Sequence, residues 1–238
     1  MSLTGQRALV TGGTRGIGAA IADTFEEQGC DVVTVDVDPA ADGRPHHQFD
    51  LADTAGIPGL VSRVENEHGP LDILVNCAAV PSRVPFPELQ PDHFEQVLRV
   101  NLEAAVFLSQ AVARGMSRRG YGRIVNITSI HGSRGARHCL AYDISKAGLA
   151  ALTRTLGMEL AEHGILVTAV APGFIDTRGT DLTTEKFAQV YQRFGKLPAG
   201  RAGEPVEVAR HVAWLASPHN TYVTGTSLAV DGGLSATF

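Results

Sequence analysis

The strongest constraint on this 238-residue chain is an alternation of short apolar runs with longer stretches of helical periodicity. The runs Arg7 to Thr11, Asp31 to Asp36, Ile73 to Asn76, Arg123 to Thr128, Val167 to Ala171 and Ser227 to Val230 read as strands, with a shorter one over Gln48 to Leu51. Helical patterns cover Ile17 to Gln28, Pro91 to Ser117 and Tyr142 to His163. Near-continuous Val/Ile/Leu strands separated by helices indicate a parallel sheet covered on both faces. Such sheets bind ligands beyond the carboxyl ends of their strands, where the strand order reverses. The chemistry-bearing residues fall there: Gly12, Asp36, Asn76, Ser129 and Pro172-Gly173 each end or follow a strand.

The first strand runs into Thr11-Gly12-Gly13-Thr14-Arg15-Gly16-Ile17-Gly18 and then a helix. Glycines in that turn permit positive φ and let backbone N–H groups approach a pyrophosphate at the helix N-terminus. A tight turn holding nothing would not also require the acid at Asp36, which ends the second strand. A carboxylate there accepts hydrogen bonds from the adenosine ribose hydroxyls and repels a 2′-phosphate. Val37 offers no cation to such a phosphate, whereas Arg15 in the glycine loop could reach one. The reading is NAD rather than NADP. The expected fold class is α/β: one Rossmann-type, doubly wound domain over residues 1–238, with a seven-stranded parallel sheet and helices on both faces.

Moving hydride at an alcohol carbon also moves a proton at its oxygen. Tyr142 and Lys146 stand at i, i+4 on one helix face. An ammonium about 4 Å from a phenol is worth up to ~4 kcal/mol at an effective dielectric of 20, enough to bring a tyrosine toward working pH. Most Tyr-x-x-x-Lys pairs are a helix face with a solvated lysine. Here Ser129 stands after the fifth strand, and Asn101 interrupts a helical run where an amide is a poor helix former.

These motifs together resemble the short-chain dehydrogenase/reductase family over nearly the whole chain. Thr11-Gly12-x-x-x-Gly16-x-Gly18 is similar to the family's glycine motif, and Asp50-Leu51 to its adenine-contacting acid. Asn76-Cys77-Ala78-Ala79 stands where Asn-Asn-Ala-Gly is usual, with Asn76 and Ala78 retained. Asn101, Ser129, Tyr142 and Lys146 match the family tetrad. The resemblance implies that Tyr142 is the general acid/base and that Ser129 polarises and positions the substrate. It further implies that Lys146 lowers the tyrosine pKa and holds the nicotinamide ribose, while Asn101 supports a water-linked proton relay. Pro172, Gly173, Ile175 and Thr177 would lie under the nicotinamide, Thr177 at its carboxamide. Thr14, Arg15 and Ile17 complete the expected cofactor set. Four residues from Tyr142 to Lys146 are fewer than in enoyl reductases of this fold, and the glycine spacing differs from that of the extended members, which are longer chains with a substrate domain.

Between Ser129 and Tyr142, the residues His131, Arg137 and His138 are candidates to contact substrate, with Phe174. Asp176 to Leu197 is expected to be a lid, with an amphipathic helix over Thr183 to Phe194 whose Phe187, Val190, Tyr191 and Phe194 serve packing or pocket wall. A net charge of -5 gives no reason to expect nucleic acid. The start lacks an apolar signal region, and no run reaches membrane-spanning length. The three cysteines, Cys30, Cys77 and Cys139, form neither a disulfide framework nor a metal spacing, so no metal is expected and a cytoplasmic location is. Apolar residues on several sides of two long helices, including Val106, Phe107, Leu149, Leu152 and Leu156, point to a subunit interface; the resemblance implies a homotetramer. The expected reaction joins NAD(H) to a secondary alcohol or ketone, a polyol, sugar, hydroxy acid or cyclic alcohol. The alternatives are an NADPH-dependent ketoreductase and a non-catalytic dinucleotide-binding regulator.

Overall fold

The structure is a computed structural model, and it describes residues 2–40, 43–177 and 197–236. Seven strands, β1 (Arg7–Thr11), β2 (Asp31–Asp36), β3 (His46–Gln48), β4 (Ile73–Asn76), β5 (Gly122–Ile127), β6 (Ile165–Pro172) and β7 (Ser227–Val230), form one sheet in the order β3-β2-β1-β4-β5-β6-β7. Every pairing is parallel. Among the described residues the α-helices are α1 (Gly16–Glu27), α2 (Ile57–His68), α3 (Pro91–Leu98), α4 (Ala104–Arg119), α5 (Leu140–Glu159) and α6 (Pro205–Ala216).

Alternate strand residues feed two cores. Val10, Val75, Val125 and Val170 pack under α1 and α6, against Ile21, Phe25, Val208 and Val212. Leu9, Leu74, Ile124 and Val167 pack on the opposite face, against Leu60, Val64, Leu108 and Met116 of α2 and α4. Burial on both faces is why the central strands carry no polar alternation. Strand order reverses between β1 and β4, so their carboxyl ends open the crevice that receives the site.

Four expectations need correction. The third strand is His46–Gln48 rather than Gln48 to Leu51. It pairs Thr34 with His46 and Asp36 with Gln48 at the sheet edge, where polar residues are tolerated, and Asp50 instead turns the chain by accepting from the Ala52 N–H at 2.9 Å. The helical stretch from Pro91 is broken by a π-helical turn over Arg99–Glu103. The helix carrying Tyr142 begins at Leu140 and ends at Glu159, before a 3-10 turn (Ala161–His163). Two helices, α2 and α6, were not anticipated. The expected lid helix, with Phe187, Val190, Tyr191 and Phe194, lies outside the described residues.

Candidate active site

A cleft of about 1090 Å³ opens along the carboxyl ends of the strands. The glycine loop forms one end of it. Gly12 and Gly16 have φ of +66° and +58°, the left-handed region that side chains avoid. A Cβ on Gly12 would lie 2.8 Å from the Ala78 Cα, and one on Gly16 would press on Thr177. Gly18 packs α1 directly against the Gly12 carbonyl. Thr11 binds the facing loop: its hydroxyl accepts from the Cys77 and Ala78 N–H groups at 3.0 and 3.1 Å.

At the N-terminus of α1, Arg15 is the cap residue, and its side chain makes no capping bond. The first-turn N–H groups therefore lack the side-chain acceptor that usually satisfies them. Their partial positive charge at the cleft is what a pyrophosphate requires. The residues fit a nicotinamide dinucleotide, with bare backbone at Gly12 and Gly16 and donors at α1.

Asp36 stands at the cleft wall, fixed on both oxygens. Oδ2 accepts from the Thr14 hydroxyl at 2.6 Å and Oδ1 from the Val37 N–H at 2.8 Å. Thr14 thus serves by holding this carboxylate; it does not line the cleft. Arg15 pairs with Asp38 at 3.4 Å, both exposed. Asp50 and Leu51 border the same end, with Ile17 and Ala78.

Ser129, Tyr142 and Lys146 line the same cleft, together with Pro172, Gly173, Phe174, Ile175 and Thr177. Ser129 leaves β5 extended and accepts from the His131 N–H at 3.2 Å, which starts a 3-10 turn. Lys146 is buried at 2% exposure, and its Nζ donates to the Ile127 carbonyl at 2.8 Å. That Nζ lies 5.6 Å from the centre of the Tyr142 ring.

The pKa order departs from expectation. Burial pushes Tyr142 up to about 12, opposed by its hydrogen bond with Ser129, and burial pulls Lys146 down to about 8. The expected acidification of the phenol by the ammonium is therefore corrected. Desolvation of the phenolate sets the direction, and Nζ is tethered to a carbonyl and itself short of solvent. In this state Tyr142 is a proton donor.

Asn101 is buried within the π turn, at the base of the loop after β4. Its Oδ1 accepts from the Val80 N–H at 2.7 Å, and its Nδ2 donates to the Val80 carbonyl at 3.0 Å and to Ser145 Oγ at 3.2 Å. It does not reach the cleft wall; it shapes the loop that does. Asn76 is also interior: its Nδ2 donates to Asn126 Oδ1 at 2.8 Å, tying β4 to β5. Arg137 and His138 are exposed and lie off the cleft, so the structure does not place them at a substrate. His138 spends its carbonyl on the Val84 N–H, at a φ of +67°.

His131 does line the cleft. Its ring packs edge-on against Tyr142 at 5.6 Å, and its Nδ1 bonds Asp143 Oδ1 at 2.7 Å. Asp143 also accepts from the Ala136 N–H at 2.9 Å. Sequence reasoning missed Asp143 although it adjoins Tyr142. It missed Gln96 and Val100 too, which face the cleft one turn apart and just before Asn101; that i, i+4 spacing was the available signal.

A family model described as Enoyl-(Acyl carrier protein) reductase matches residues 12–235. The chain is 35% identical to 3-oxoacyl-[acyl-carrier-protein] reductase FabG of Vibrio cholerae serotype O1, over 98% of this chain and 99% of that protein. It is 37% identical to acetoacetyl-CoA reductase of Rhizobium meliloti, over 95% and 97% of the two chains. Among solved structures, a gluconate 5-dehydrogenase from Burkholderia cenocepacia J2315, in complex with NADP and tartrate, superposes with a TM-score of 0.92 at 32% identity, over 100% of this chain and 98% of that one. Matched from its glycine loop to its last strand, the chain belongs to the short-chain dehydrogenase/reductase family.

Proposed function

We propose that this oxidoreductase of alcohols and ketones is NAD(H)-linked and acts on a secondary alcohol or its ketone carrying a second oxygen substituent. The observation that carries the cofactor reading is the Asp36 carboxylate, held at the cleft by the Thr14 hydroxyl and three backbone N–H groups. A fixed negative charge at the ribose end opposes a 2′-phosphate, and Arg15 is engaged with Asp38. NADPH is the second reading, favoured by the NADP bound in the Burkholderia structure and by Arg15, 80% exposed beside the loop.

When bound, the dinucleotide supplies the hydride chemistry. The chain's own residues handle the oxygen. Ser129 orients it, and Tyr142, protonated at neutral pH, donates to it as a ketone is reduced. Lys146 supplies positive charge behind the phenol. With Nδ1–H donating to Asp143, the His131 ring offers Nε2 as an acceptor to a second substrate hydroxyl, which supports a hydroxylated substrate over a plain alcohol.

We further propose a homotetrameric assembly, supported by Phe107, Ile144 and Met158, exposed on α4 and α5, and by Leu228, 40% exposed on edge strand β7. Leu149, by contrast, is spent inside. Three free thiols, two of them buried, support placement in the reducing cytoplasm. No described helix is long and apolar enough to cross a membrane.

The test is kcat/KM with NADH and NADPH, measured on the best substrate from a panel of polyols, sugars, hydroxy acids and 3-oxoacyl thioesters. NADH is expected to win at least tenfold, and Asp36→Ser to narrow that margin. A clear NADPH preference in the wild type would overturn the cofactor reading.

A further inference from the structure

Away from the cleft, β3 and the end of α2 bring His47, Glu67 and His68 together. One nitrogen of each ring and one Glu67 oxygen lie within 4.8 Å of one another. His47 Nε2 is 3.6 Å from Glu67 Oε2, and His68 Nε2 is 3.9 Å from the same oxygen. The two rings meet edge to face, 5.6 Å apart at 86°. These separations exceed a hydrogen bond. They approach the roughly 3.4 Å edge of a tetrahedron whose ligands sit about 2.1 Å from a zinc ion.

An independent observation marks the same spot. His47 Nε2 is fully buried and has no hydrogen-bond partner, although it faces a carboxylate. Buried polar atoms are nearly always satisfied, so an orphan aimed into a pair of further ligands asks for an atom between them. The donor types also agree. Two imidazoles and one carboxylate form a borderline nitrogen/oxygen set suited to zinc, with the fourth position left to solvent.

We propose that His47, Glu67 and His68 bind a divalent transition metal, zinc above all, as a structural clip. It would join the sheet's edge strand to α2, beside the β2 end that carries Asp36. Cysteine spacing led to the expectation of no metal, and it does not bear on a site built from histidine and glutamate.

The test uses the full chain without a histidine tag, stripped by chelator. ZnCl2 is titrated against the melting temperature, and CoCl2 is followed by its visible tetrahedral absorption. The wild type should show a saturable rise in Tm and the cobalt band. Glu67→Gln and His68→Gln lie at an exposed helix end and should fold, yet each should weaken binding at least about tenfold. His131→Gln is the control for the second cluster, His131, Cys139 and Asp143, and should keep the response. The proposal fails if the wild type shows neither signal, if the signal survives both α2 variants, or if only His131→Gln removes it.

Discussion

Tyr142 and Lys146 show how one physical cause moves two groups oppositely. Burial disfavours charge, so the phenol rises to about 12 and the ammonium falls to about 8 from an ordinary 10.5. The consequence for stability has a definite sign. Between about pH 8 and 10.5 the unfolded chain holds a proton on Lys146 that the folded chain has lost, so stability rises with pH across that window and is lower beneath it. The Tyr142 contribution runs the other way and is lost only from pH 10 toward 12. Denaturant unfolding at pH 7.5 and pH 10 (about the two sides of the lysine window) should therefore show a gain in wild type that Lys146→Met lacks. Equal pH responses would mean that Lys146 is charged and solvated in the folded chain. The reversed direction for Tyr142 was not legible in the sequence, because i, i+4 spacing reports proximity and says nothing of desolvation.

At the scale of elements, the π turn over Arg99–Glu103 sets Asn101 against both polar atoms of the Val80 backbone. Asn101→Ala would leave that N–H and C=O without their partner, at a cost of about 1–3 kcal/mol. Urea unfolding measures the loss; an unchanged midpoint would show that the loop after β4 stands without the amide. The sequence marked Asn101 as an oddity in a helix, yet gave no sign of the extra residue that turns it toward Val80. The central strands were legible because both faces are buried and apolar run length alone identifies them. The strand His46–Gln48 was not, since an edge position imposes no such pattern. Helix α2 carried a readable stripe in Ile57, Leu60, Val61 and Val64, obscured by Pro58 and Gly59 at a start that tolerates them. Helix α6 likewise had its Glu204/Glu207 capping box in view.

Over the whole molecule, the sheet order decides where chemistry can occur. The reversal between β1 and β4 aligns the glycine loop, Asp36, Ser129 and the helix bearing Tyr142 around one cleft. That convergence could be inferred from residues recurring just after strands. The substrate end could not, because the loop before Tyr142 holds His131, Arg137 and His138 with equal chemical promise, and only backbone geometry turns His131 inward and the other two out. The proposed function requires Tyr142 to transfer the proton while other groups hold the dinucleotide. Its most direct test is Tyr142→Phe, measured in parallel for ketone turnover with NADH and for NADH affinity by ligand fluorescence. Turnover should fall at least about a hundredfold with affinity nearly unchanged. Turnover close to that of the wild type would contradict the proton-transfer role of Tyr142.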